Sequence, residues 1–407
     1  MPTGPSAALA GRRVLELADD KGVYCGKLLA DLGADVVKIE PPAGDAGRRI
    51  PPMTAAAGGG EESLHFLYMN TSKRGVTLDL ERPQGRELFG RLAVTADLVV
   101  ETLAPGALES MGIGYERLCQ ANPGLVLTSI TGFGQTGPHR DFRSSDLVAS
   151  ALGGAMTVTG EADDPPVRLA GTQAHVAAST VAAAGSLIAL LAGAQSGRGQ
   201  HVDISVQEVV TSVTHICGIG KWLDDGIIPR RQGTGLFASV PSGAYACRDG
   251  SVYLMVNRPL HWEALARWVN EVTGNQEILD PMFEGPSSNR QPYRQLLDLF
   301  IGELMSQLTV EAAYREGQSR HIAMTPVNGA AAVADDPHLA ARGFFEEVTH
   351  PTAGRLSYPG APYRHSATPW RIRRAAPTPG QHNREVYGDE LGLPESELRA
   401  LESERVI

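Results

Sequence analysis

The residue of this chain best suited to chemistry by its type is a single histidine. His175 stands among small and apolar residues in the stretch "RLAGTQAHVAASTVAAAG" (168–185), at the predicted start of a helix. Imidazole titrates near neutral pH, so a histidine in such a place is either a general acid or base or a passive structural side chain. The sequence holds no GxSxG, HExxH or P-loop pattern. It therefore gives no support to the corresponding hydrolases, metalloproteases or NTPases.

A second candidate is a glycine-rich loop. The segment "TGFGQTG" (131–137) follows a predicted strand and carries a literal GxGxxG pattern with Gly134 at its centre. A dinucleotide loop must open a helix whose N-terminus meets the pyrophosphate, whereas Pro138 and three polar residues follow here. The pattern also follows the last predicted strand of its series rather than the first. We therefore expect either a backbone that approaches some other ligand or a plain turn.

Basic residues lie near two predicted strand ends. Lys73 and Arg74 come just before a strand, and Arg140 and Arg143 follow the glycine-rich loop. Lysine and arginine bind phosphate groups through charge-assisted hydrogen bonds, so these positions suit a phosphate-bearing ligand. Any one such pair, taken alone, is more often a solvated surface charge.

Composition narrows the classes of partner. The chain has 407 residues, of which 42% are hydrophobic and 20% charged, and this length favours two globular domains. Its formal net charge of −10 argues against a nucleic-acid or anionic membrane surface. Small molecules or proteins are the expected partners.

Cysteine spacing and apolar runs indicate the compartment. The four cysteines are widely spaced and form no CxxC pair, which predicts reduced thiols in a cytoplasmic protein and no metal site. The N-terminus lacks the apolar core of a signal peptide. The longest apolar run, 176–194, is interrupted by Ser, Thr and Gly, so we predict a buried helix with small faces rather than a membrane span.

The candidate residues require a scaffold, and alternating apolar runs predict one. Five β-prone runs are separated by helical stretches: "RRVLELA" (12–18), "ADVVKIE" (34–40), "GVTLDL" (75–80), "DLVVE" (97–101) and "GLVLTSI" (124–130). Such alternation predicts an α/β fold with a parallel sheet and helices on its faces. Ligands then gather at the carboxyl ends of the strands.

The character of the sequence changes near residue 221. There "PSGAYACRDGSVYLMV" (241–256) predicts two strands joined by a turn, and helical segments follow, as in a smaller α+β domain. After about residue 326 the chain becomes rich in Pro and Gly. So long an irregular segment is kept in a compact protein only when it packs over another surface.

Several segments, in this order, resemble the class III CoA-transferase (CaiB/BaiF) family. They include "LLADLGADVVKIEPP" (28–42), "SKRGVTLDL" (72–80), "PGALESMGIGYERLC" (105–119) and "SGRGQHVDISVQE" (196–208), and the resemblance runs from about residue 11 to 407. It implies a Rossmann-like large domain of residues 1–220, a small α+β domain of residues 221–325, and a return segment of residues 326–407 that completes the large domain. It also implies two subunits threaded through each other as interlocked rings.

In this family coenzyme A, as part of an acyl-CoA substrate, is held near the strand ends of the large domain. By position the resemblance assigns CoA contacts to Lys73, Arg74, Met111 and Arg143, with Arg140 and Gly134 nearby. The family pattern changes at three places in this chain: Thr102-Leu103 replaces the usual Asn-Phe, Ser110 replaces a basic residue, and the early loop "ADDKGVYC" (18–25) is shortened.

The family's transfer chemistry needs an aspartate. That carboxylate attacks the acyl-CoA donor to form a mixed anhydride, CoA thiolate returns to give an aspartyl-CoA thioester, and the acceptor acid then takes the CoA. The resemblance places His175 where this aspartate usually stands. Imidazole has no carbonyl carbon to give to such a thioester, so the ordinary mechanism cannot run at this position. The racemase branch also uses a histidine whose position is occupied by Ser145 here, so both racemase groups are missing.

Four hypotheses remain open. In the first, the chain is the subunit without the catalytic Asp in a heteromeric CoA-transferase and pairs with a homologous subunit that keeps it. Succinyl-CoA is then the expected donor and a benzylsuccinate-like acid the expected acceptor, as in anaerobic aromatic degradation. In the second, an active homodimeric isomerase or lyase uses His175 as a general base on an acyl-CoA. In the third, Asp146 replaces the nucleophile, and in the fourth the chain is a binding or scaffold protein without chemistry.

Overall fold

The computed structural model describes residues 7–56, 59–215, 218–236 and 239–407. The chain divides into two compact units. The large unit comprises Met1–Ala155, Leu169–Ile219 and Ala340–Ile407, and the small unit comprises Met156–Arg168 and Gly220–Leu339. The large unit is thus built from three separate segments, the last of which is C-terminal.

A six-stranded parallel sheet forms the centre of the large unit. In chain order, the first strands of the large unit are β1 (Arg13–Leu17), β2 (Asp35–Glu40), β3 (Met53–Ala55), β4 (Glu61–Ser63), β5 (Arg74–Thr77), β6 (Leu98–Glu101), β7 (Val126–Thr131) and β8 (His201–Ser205). The sheet has the order β5-β2-β1-β6-β7-β8, while β3 and β4 form a separate hairpin. Val, Leu and Ile predominate in the inner strands because helices cover both faces. The predicted α/β class with a parallel sheet is confirmed.

Helices cover both faces of this sheet. They are α1 (Val23–Asp31), α2 (Leu64–Met69), α3 (Pro83–Val94), α4 (Ala107–Ser110), α5 (Tyr115–Ala121), α6 (Asp146–Leu152), α7 (Gln173–Ser196) and α8 (Val206–Val213), and a 3-10 turn lies at Ala46–Arg49. One apolar cluster joins the sheet to α3, α5 and the C-terminal residues, and a second joins it to α1, α6, α7 and α8. The loops after the parallel strands therefore meet at one edge of the sheet.

The strand β8 was not among the five predicted strands. Its sequence, "HVDIS", alternates polar and apolar residues at the edge of the sheet and so forms no apolar run. Its place is set by pairing with β7, in which Ile130 pairs with Ile204. The structure corrects the predicted five strands to six.

The long helix α7 differs from the prediction in its burial. Small residues such as Ala178, Ala182 and Ser186 form its inner side, which packs closely against α1, β7 and β8. Its outer side leaves Ile188 and Leu191 exposed by 67% and 63%. The predicted buried helix is therefore buried along one side only. By length and composition alone it is apolar enough to cross a membrane, and 33% of its most apolar window is buried.

The small unit is an α+β assembly. The next elements in the chain are α9 (Ile219–Asp225), β9 (Ser242–Cys247), β10 (Gly250–Met255), α10 (Pro259–Thr273), α11 (Arg294–Ser306), α12 (Val310–Ser319), β11 (Ala323–Pro326), α13 (Ala330–Ala334) and α14 (Pro337–Ala341). Short 3-10 helices lie at Glu277–Leu279, Pro281–Phe283 and Ser287–Tyr293. The predicted hairpin is β9 and β10, and β11 adds a third antiparallel strand that was not predicted.

The C-terminal return segment packs against the β5 edge of the large sheet. It contains β12 (Phe345–His350), β13 (Gly354–Pro359), a π-helix at Arg384–Glu390 and α15 (Glu395–Ser403). The hydroxyl of Tyr387 donates to the carbonyl of Thr77 at 2.9 Å, and the backbone N–H of Asp79 donates to the carbonyl of Val406 at 2.7 Å. These bonds take the place of a further strand and satisfy backbone groups at the edge.

Candidate active site

His175 lies in the first turn of α7, between two carboxylates. Its backbone N–H donates to Asp146 Oδ2 at 3.1 Å, and its ring Nδ1 lies 3.0 Å from Asp20 Oδ2. The first N–H groups of a helix have no partner inside it, and Thr172, which precedes α7, makes no side-chain cap. Asp146, at the start of α6, therefore caps α7 from outside. The predicted alternative nucleophile is thus engaged with the very residue it was expected to replace.

Asp20 joins two histidines. Its Oδ2 faces His175, and its Oδ1 lies 2.8 Å from Nε2 of His65 in α2. Burial alone disfavours the ionised carboxylate, but the hydrogen bonds to His175 and His65 outweigh it and hold the pKa of Asp20 well below its usual range. An ionised carboxylate therefore stands beside His175, which is 10% exposed at its side chain. This arrangement fixes the imidazole ring through Nδ1 and leaves Nε2 for other contacts.

Asp20 and His65 were not among the predicted site residues. Asp20 lies three residues after the end of β1, so its position near the carboxyl end of a predicted strand was a signal that could have identified it. His65 lies in a short helix with no comparable pattern. The fold brings it to Asp20 from 45 positions along the chain.

Lys73 is fully buried and lies just before β5. Its ammonium group donates to Glu16 Oε1 at 2.9 Å, to Asn70 Oδ1 at 3.0 Å and to the carbonyl of Val23 at 2.8 Å. An ammonium group has three donors, and all three are used. Its predicted contact with CoA stays a prediction, and the described geometry gives this lysine a structural role.

Arg74 is likewise committed to internal partners. It begins β5, at the amino end of that strand, and its guanidinium pairs with Asp35, Glu385 and Glu390. The last two belong to the return segment, so Arg74 ties that segment to the sheet. Burial lowers its pKa but these carboxylates outweigh that effect and raise it. Its assignment as a CoA contact also stays a prediction.

The remaining predicted residues lie in two loops at the other end of the strands. Gly134 follows β7 with a φ of +84°, and the next N–H, of Gln135, donates to Asp203 Oδ2 at 2.9 Å. A left-handed φ of this size favours glycine. Arg140 and Arg143 are exposed in the same loop, and Arg140 lies 3.1 Å from Asp141 Oδ1. Met111 directly follows α4 and is half-buried.

A cleft of about 330 Å³ opens at the carboxyl ends of β1, β2, β5 and β6. We call it the strand-end cleft. Met111 and other apolar side chains such as Ile39 and Leu78 line part of it, and the lining also contains five carboxylates: Asp19, Glu40, Asp45, Asp79 and Glu81. No lysine, arginine or histidine belongs to the described lining. The cleft is where an α/β fold binds ligands, but its described lining offers no cation to a phosphate.

Cations near the strand-end cleft are already paired. Lys38 bonds to Asp45 at 2.6 Å and Arg48 bonds to Glu40 at 2.6 Å. Lys21 and Arg82 pair in the same way with Asp19 and Asp79. A CoA bound in this cleft would place its phosphates beside carboxylates, and no unpaired cation among the described lining residues would offset them. The residues present in this cleft do not fit the phosphates of CoA.

Glu101 ends β6 at this edge of the sheet. It is buried, and its carboxylate accepts the N–H of Leu103 at 2.6 Å. Burial raises its pKa to about 7, although that bond and Ser129 act in the opposite direction. Thr102, at a position where the resemblance implies asparagine, accepts the N–H of Asp19 at 2.9 Å. Glu101 and Thr102 are therefore both engaged in contacts within this chain.

The comparisons with known proteins agree with one another. Residues 9–383 match CoA-transferase family III. The chain is 36% identical over 398 residues to the succinyl-CoA:(R)-benzylsuccinate CoA-transferase subunit BbsE of Thauera aromatica, with 95% of each chain covered. It is 31% identical over 404 residues to the succinyl-CoA–L-malate CoA-transferase alpha subunit of Chloroflexus aurantiacus, covering 98% of this chain and 92% of that one.

A solved structure shows the same fold. A CAIB/BAIF family protein from Brucella suis superposes with a TM-score of 0.84 at 28% identity, covering 94% of this chain and 99% of that one. Both the sequence match and the structural match run along nearly the whole chain. The chain therefore belongs to CoA-transferase family III, the CaiB/BaiF family.

Proposed function

We propose that this chain is the subunit without a catalytic nucleophile in a heteromeric class III CoA-transferase. Its partner is a homologous subunit that carries the catalytic aspartate, and the two are interlocked. The complex moves CoA from an acyl-CoA donor, succinyl-CoA, to a carboxylic acid of the benzylsuccinate type. Two relatives named as subunits of succinyl-CoA-dependent transferases support this proposal.

The observation that carries the proposal is the environment of His175. The family reaction needs a carboxylate that can become an anhydride and then a thioester, and imidazole can become neither. The two carboxylates nearest to it are engaged: Asp20 with His175 and His65, and Asp146 with the backbone of α7. The acidic strand-end cleft supports the same conclusion, because CoA bound by the partner would not need a phosphate site here.

An exchange assay tests the proposal. The chain is purified alone and also after co-expression with its aspartate-bearing homologue, and transfer of labelled succinate into succinyl-CoA is measured. We expect no exchange by the lone chain, exchange by the pair, and loss of that exchange when the partner's aspartate is replaced by alanine. His175→Ala in the pair should change the rate by less than about threefold, like the exposed control His338→Ala. Exchange by the lone chain, abolished by His175→Ala, would refute the proposal.

The pairing of His175 with Asp20 favours a second candidate function. A histidine oriented by a carboxylate through Nδ1 is the usual arrangement of a general base, which here would remove an α-proton from an acyl-CoA. The lone chain would then catalyse exchange of that proton with solvent deuterium. His175→Ala should lower the exchange rate by about 100-fold or more, and Asp20→Asn should lower it as well. Exchange at the rate of buffer alone would eliminate this candidate.

A further inference from the structure

Three polar side chains from neighbouring strands lie together on one face of the large sheet. Glu101 ends β6, Ser129 lies in β7 and His201 begins β8. Glu101 pairs with Ser129 in the register of the two strands, and parallel strands lie about 4.8 Å apart, so the two side chains are neighbours on one face. His201 pairs with Leu127, two positions before Ser129, and therefore shares that face. We call Glu101, Ser129 and His201 the polar row.

Hydrogen bonds join the three groups of the polar row. Ser129 Oγ lies 2.9 Å from Nε2 of His201, and the Ser129 hydroxyl also hydrogen-bonds to the carboxylate of Glu101. Glu101 and Ser129 are buried, with exposed fractions of 4% and 2%, whereas His201 is exposed. The ring of Tyr115 stacks on that of His201 with 5.8 Å between the centroids, which restrains the imidazole. A buried carboxyl group is thus connected to an exposed imidazole through one hydroxyl.

A hydroxyl group has a single hydrogen to donate, and this links the states of the two ends. When Glu101 carries a proton it donates to Ser129, Ser129 donates to Nε2 of His201, and the neutral imidazole keeps its hydrogen on Nδ1. When Glu101 is ionised, Ser129 donates to the carboxylate, and Nε2 carries the hydrogen and donates to Ser129. Both arrangements satisfy all three groups. They differ in which ring nitrogen of His201 carries the hydrogen.

Charged groups on the surrounding elements act on both ends of the polar row. Burial raises the pKa of Glu101 to about 7, and burial lowers the pKa of His201. Glu109 of α4 raises the pKa of both groups. Lys21, after β1, lowers the pKa of Glu101, while Asp203 of β8 raises that of His201. The Glu101 carboxyl therefore keeps its proton into the pH range in which imidazole groups titrate.

The buried end of the polar row supports one wall of the strand-end cleft. The Glu101 carboxylate accepts the N–H of Leu103 at 2.6 Å, and both Thr102 and Leu103 line the cleft. An ionised carboxylate is a stronger acceptor than a neutral carboxyl group. The ionisation of Glu101 therefore strengthens a bond that holds the turn after β6.

We propose that Glu101, Ser129 and His201 form a proton relay, in which ionisation of Glu101 reverses both hydrogen bonds and moves the hydrogen of neutral His201 from Nδ1 to Nε2. In this step the O–H bond of Glu101 breaks as one forms at Ser129 Oγ, and the former Ser129 proton bonds to Nε2. Nδ1 releases one proton to solvent water, so the charge of the polar row falls by one.

The relay gives the buried carboxyl group a path to solvent through the exposed imidazole. The wall of the strand-end cleft then responds to pH, because Glu101 holds the N–H of Leu103 more strongly once the proton has left. This inference goes beyond the proposed function, since it requires neither a partner subunit nor transfer of CoA.

Nitrogen NMR of the full-length chain, labelled with ¹⁵N-histidine, tests the proposal. Ring nitrogens with and without a hydrogen resonate at well separated frequencies, and His201→Gln identifies the signals of His201 by removing them. We expect the hydrogen to lie on Nε2 above a midpoint at about pH 7 and on Nδ1 below it, before the ring gains a second hydrogen at lower pH. His338, an exposed histidine of α14, gives a reference titration in the same spectra.

Two variants locate the relay. Ser129→Ala removes the connecting hydroxyl and Glu101→Gln removes the ionisation, so we expect neutral His201 to keep one tautomer at all pH values in both. Glu109→Gln serves as the control, because it removes a charge that faces both ends without entering the polar row. This control should lower the midpoint and preserve the change of tautomer.

Three results would overturn the proposal. The first is a tautomer of His201 that stays the same between about pH 6.5 and 8.5 in the parent chain. The second is a change of tautomer that persists in Ser129→Ala, which would show that the carboxyl acts on the imidazole through space. The third is a change that persists in Glu101→Gln, and this result decides the question even if Ser129→Ala does not fold. No exchange activity is measured, so this inference and the proposed function can fail separately.

Discussion

The interiors of the two units are stabilised by different interactions. In the large unit Glu16 and Lys73 are both fully buried, and their charges pair with each other. In the small unit the core is built around tryptophans, and the buried Arg290 donates to the carbonyls of Val240 and Phe283 at 2.7 and 2.8 Å. Both interiors have apolar cores, but that of the large unit also contains paired buried charges, whereas the buried cation described in the small unit, Arg290, has backbone carbonyls as partners.

This difference concerns the candidate site. Lys38 donates to the carbonyl of Ala18 at 3.0 Å, and Lys73 donates to that of Val23 at 2.8 Å. The two buried lysines therefore hold both ends of the loop that carries Asp20. The buried charges of the large unit thus fix the loop that faces His175. Burying these charges carries a desolvation cost. In the core of the small unit, the guanidinium carbon of Arg290 lies 4.8 Å from the ring centroid of Trp262, and the candidate site has no residue there.

The largest effect is expected from Lys73→Met. Among the described residues, this change leaves the buried Glu16 with Lys38, at 3.5 Å, as its one cationic partner. Removing one partner of a buried ion pair costs about 3–5 kcal/mol, so the free energy of unfolding should fall by that amount. Urea unfolding, with hydrogen exchange measured on peptides of β1 and β5, gives the loss and locates it.

The matched change in the small unit is Arg290→Met. It leaves carbonyls rather than a carboxylate without donors, so we expect a smaller loss, about 1–3 kcal/mol. Equal losses of unfolding free energy for the two variants would refute the claim that the buried cation matters more in the large unit than in the small one. A Lys73→Met chain of unchanged stability that binds CoA less tightly would instead show that Lys73 is a ligand contact.

A somewhat smaller change in the free energy of unfolding is expected from the ionisation of Glu101. This carboxyl group of the large unit has no buried cation as a partner among the described residues. Its pKa is raised from 4.5 to about 7, chiefly by burial. Between these pH values the native state keeps a proton that the unfolded state has lost, so stability falls as the pH rises from 4.5 to 7. At 1.36 kcal/mol per pKa unit the full loss is about 3 kcal/mol.

Glu101→Gln removes this ionisation. The variant should be more stable than the parent chain by about 3 kcal/mol at pH 8 and about equal to it at pH 4. Urea unfolding at a series of pH values gives the difference. Glu311→Gln, at a side chain that is 62% exposed, should leave the pH profile unchanged. A Glu101→Gln profile parallel to that of the parent would show that this carboxyl is ionised in the native state.

Local sequence patterns predict the central strands and the position of His175. Contacts between residues far apart in the sequence determine the side-chain partners of the candidate site. The strands β1, β2 and β6 are short β-prone runs rich in Val, Leu and Ile, and the sequence alone identifies them. His175 is also found from its place before a helix of small residues. Its partner Asp20 lies 155 positions away, and Glu385 lies 311 positions from Arg74. No local pattern encodes such pairs, so the sequence suggests free cations where the folded chain has committed ones.

The smallest change in the free energy of unfolding is expected from two glycines of the small unit. At these positions backbone conformation, rather than charge, determines the effect of a substitution. Gly302, inside α11, and Gly274, which ends α10 with a φ of +74°, both have open space where a Cβ would lie. Alanine at Gly302 should stabilise the unit by about 0.5–1 kcal/mol, because it restricts the unfolded chain and favours the helix. Alanine at Gly274 should destabilise it by about 1 kcal/mol, since an L side chain is strained at that φ. Urea unfolding followed by the fluorescence of the buried Trp262 and Trp268 measures both, and changes of the same sign would show that surroundings outside the backbone decide the outcome.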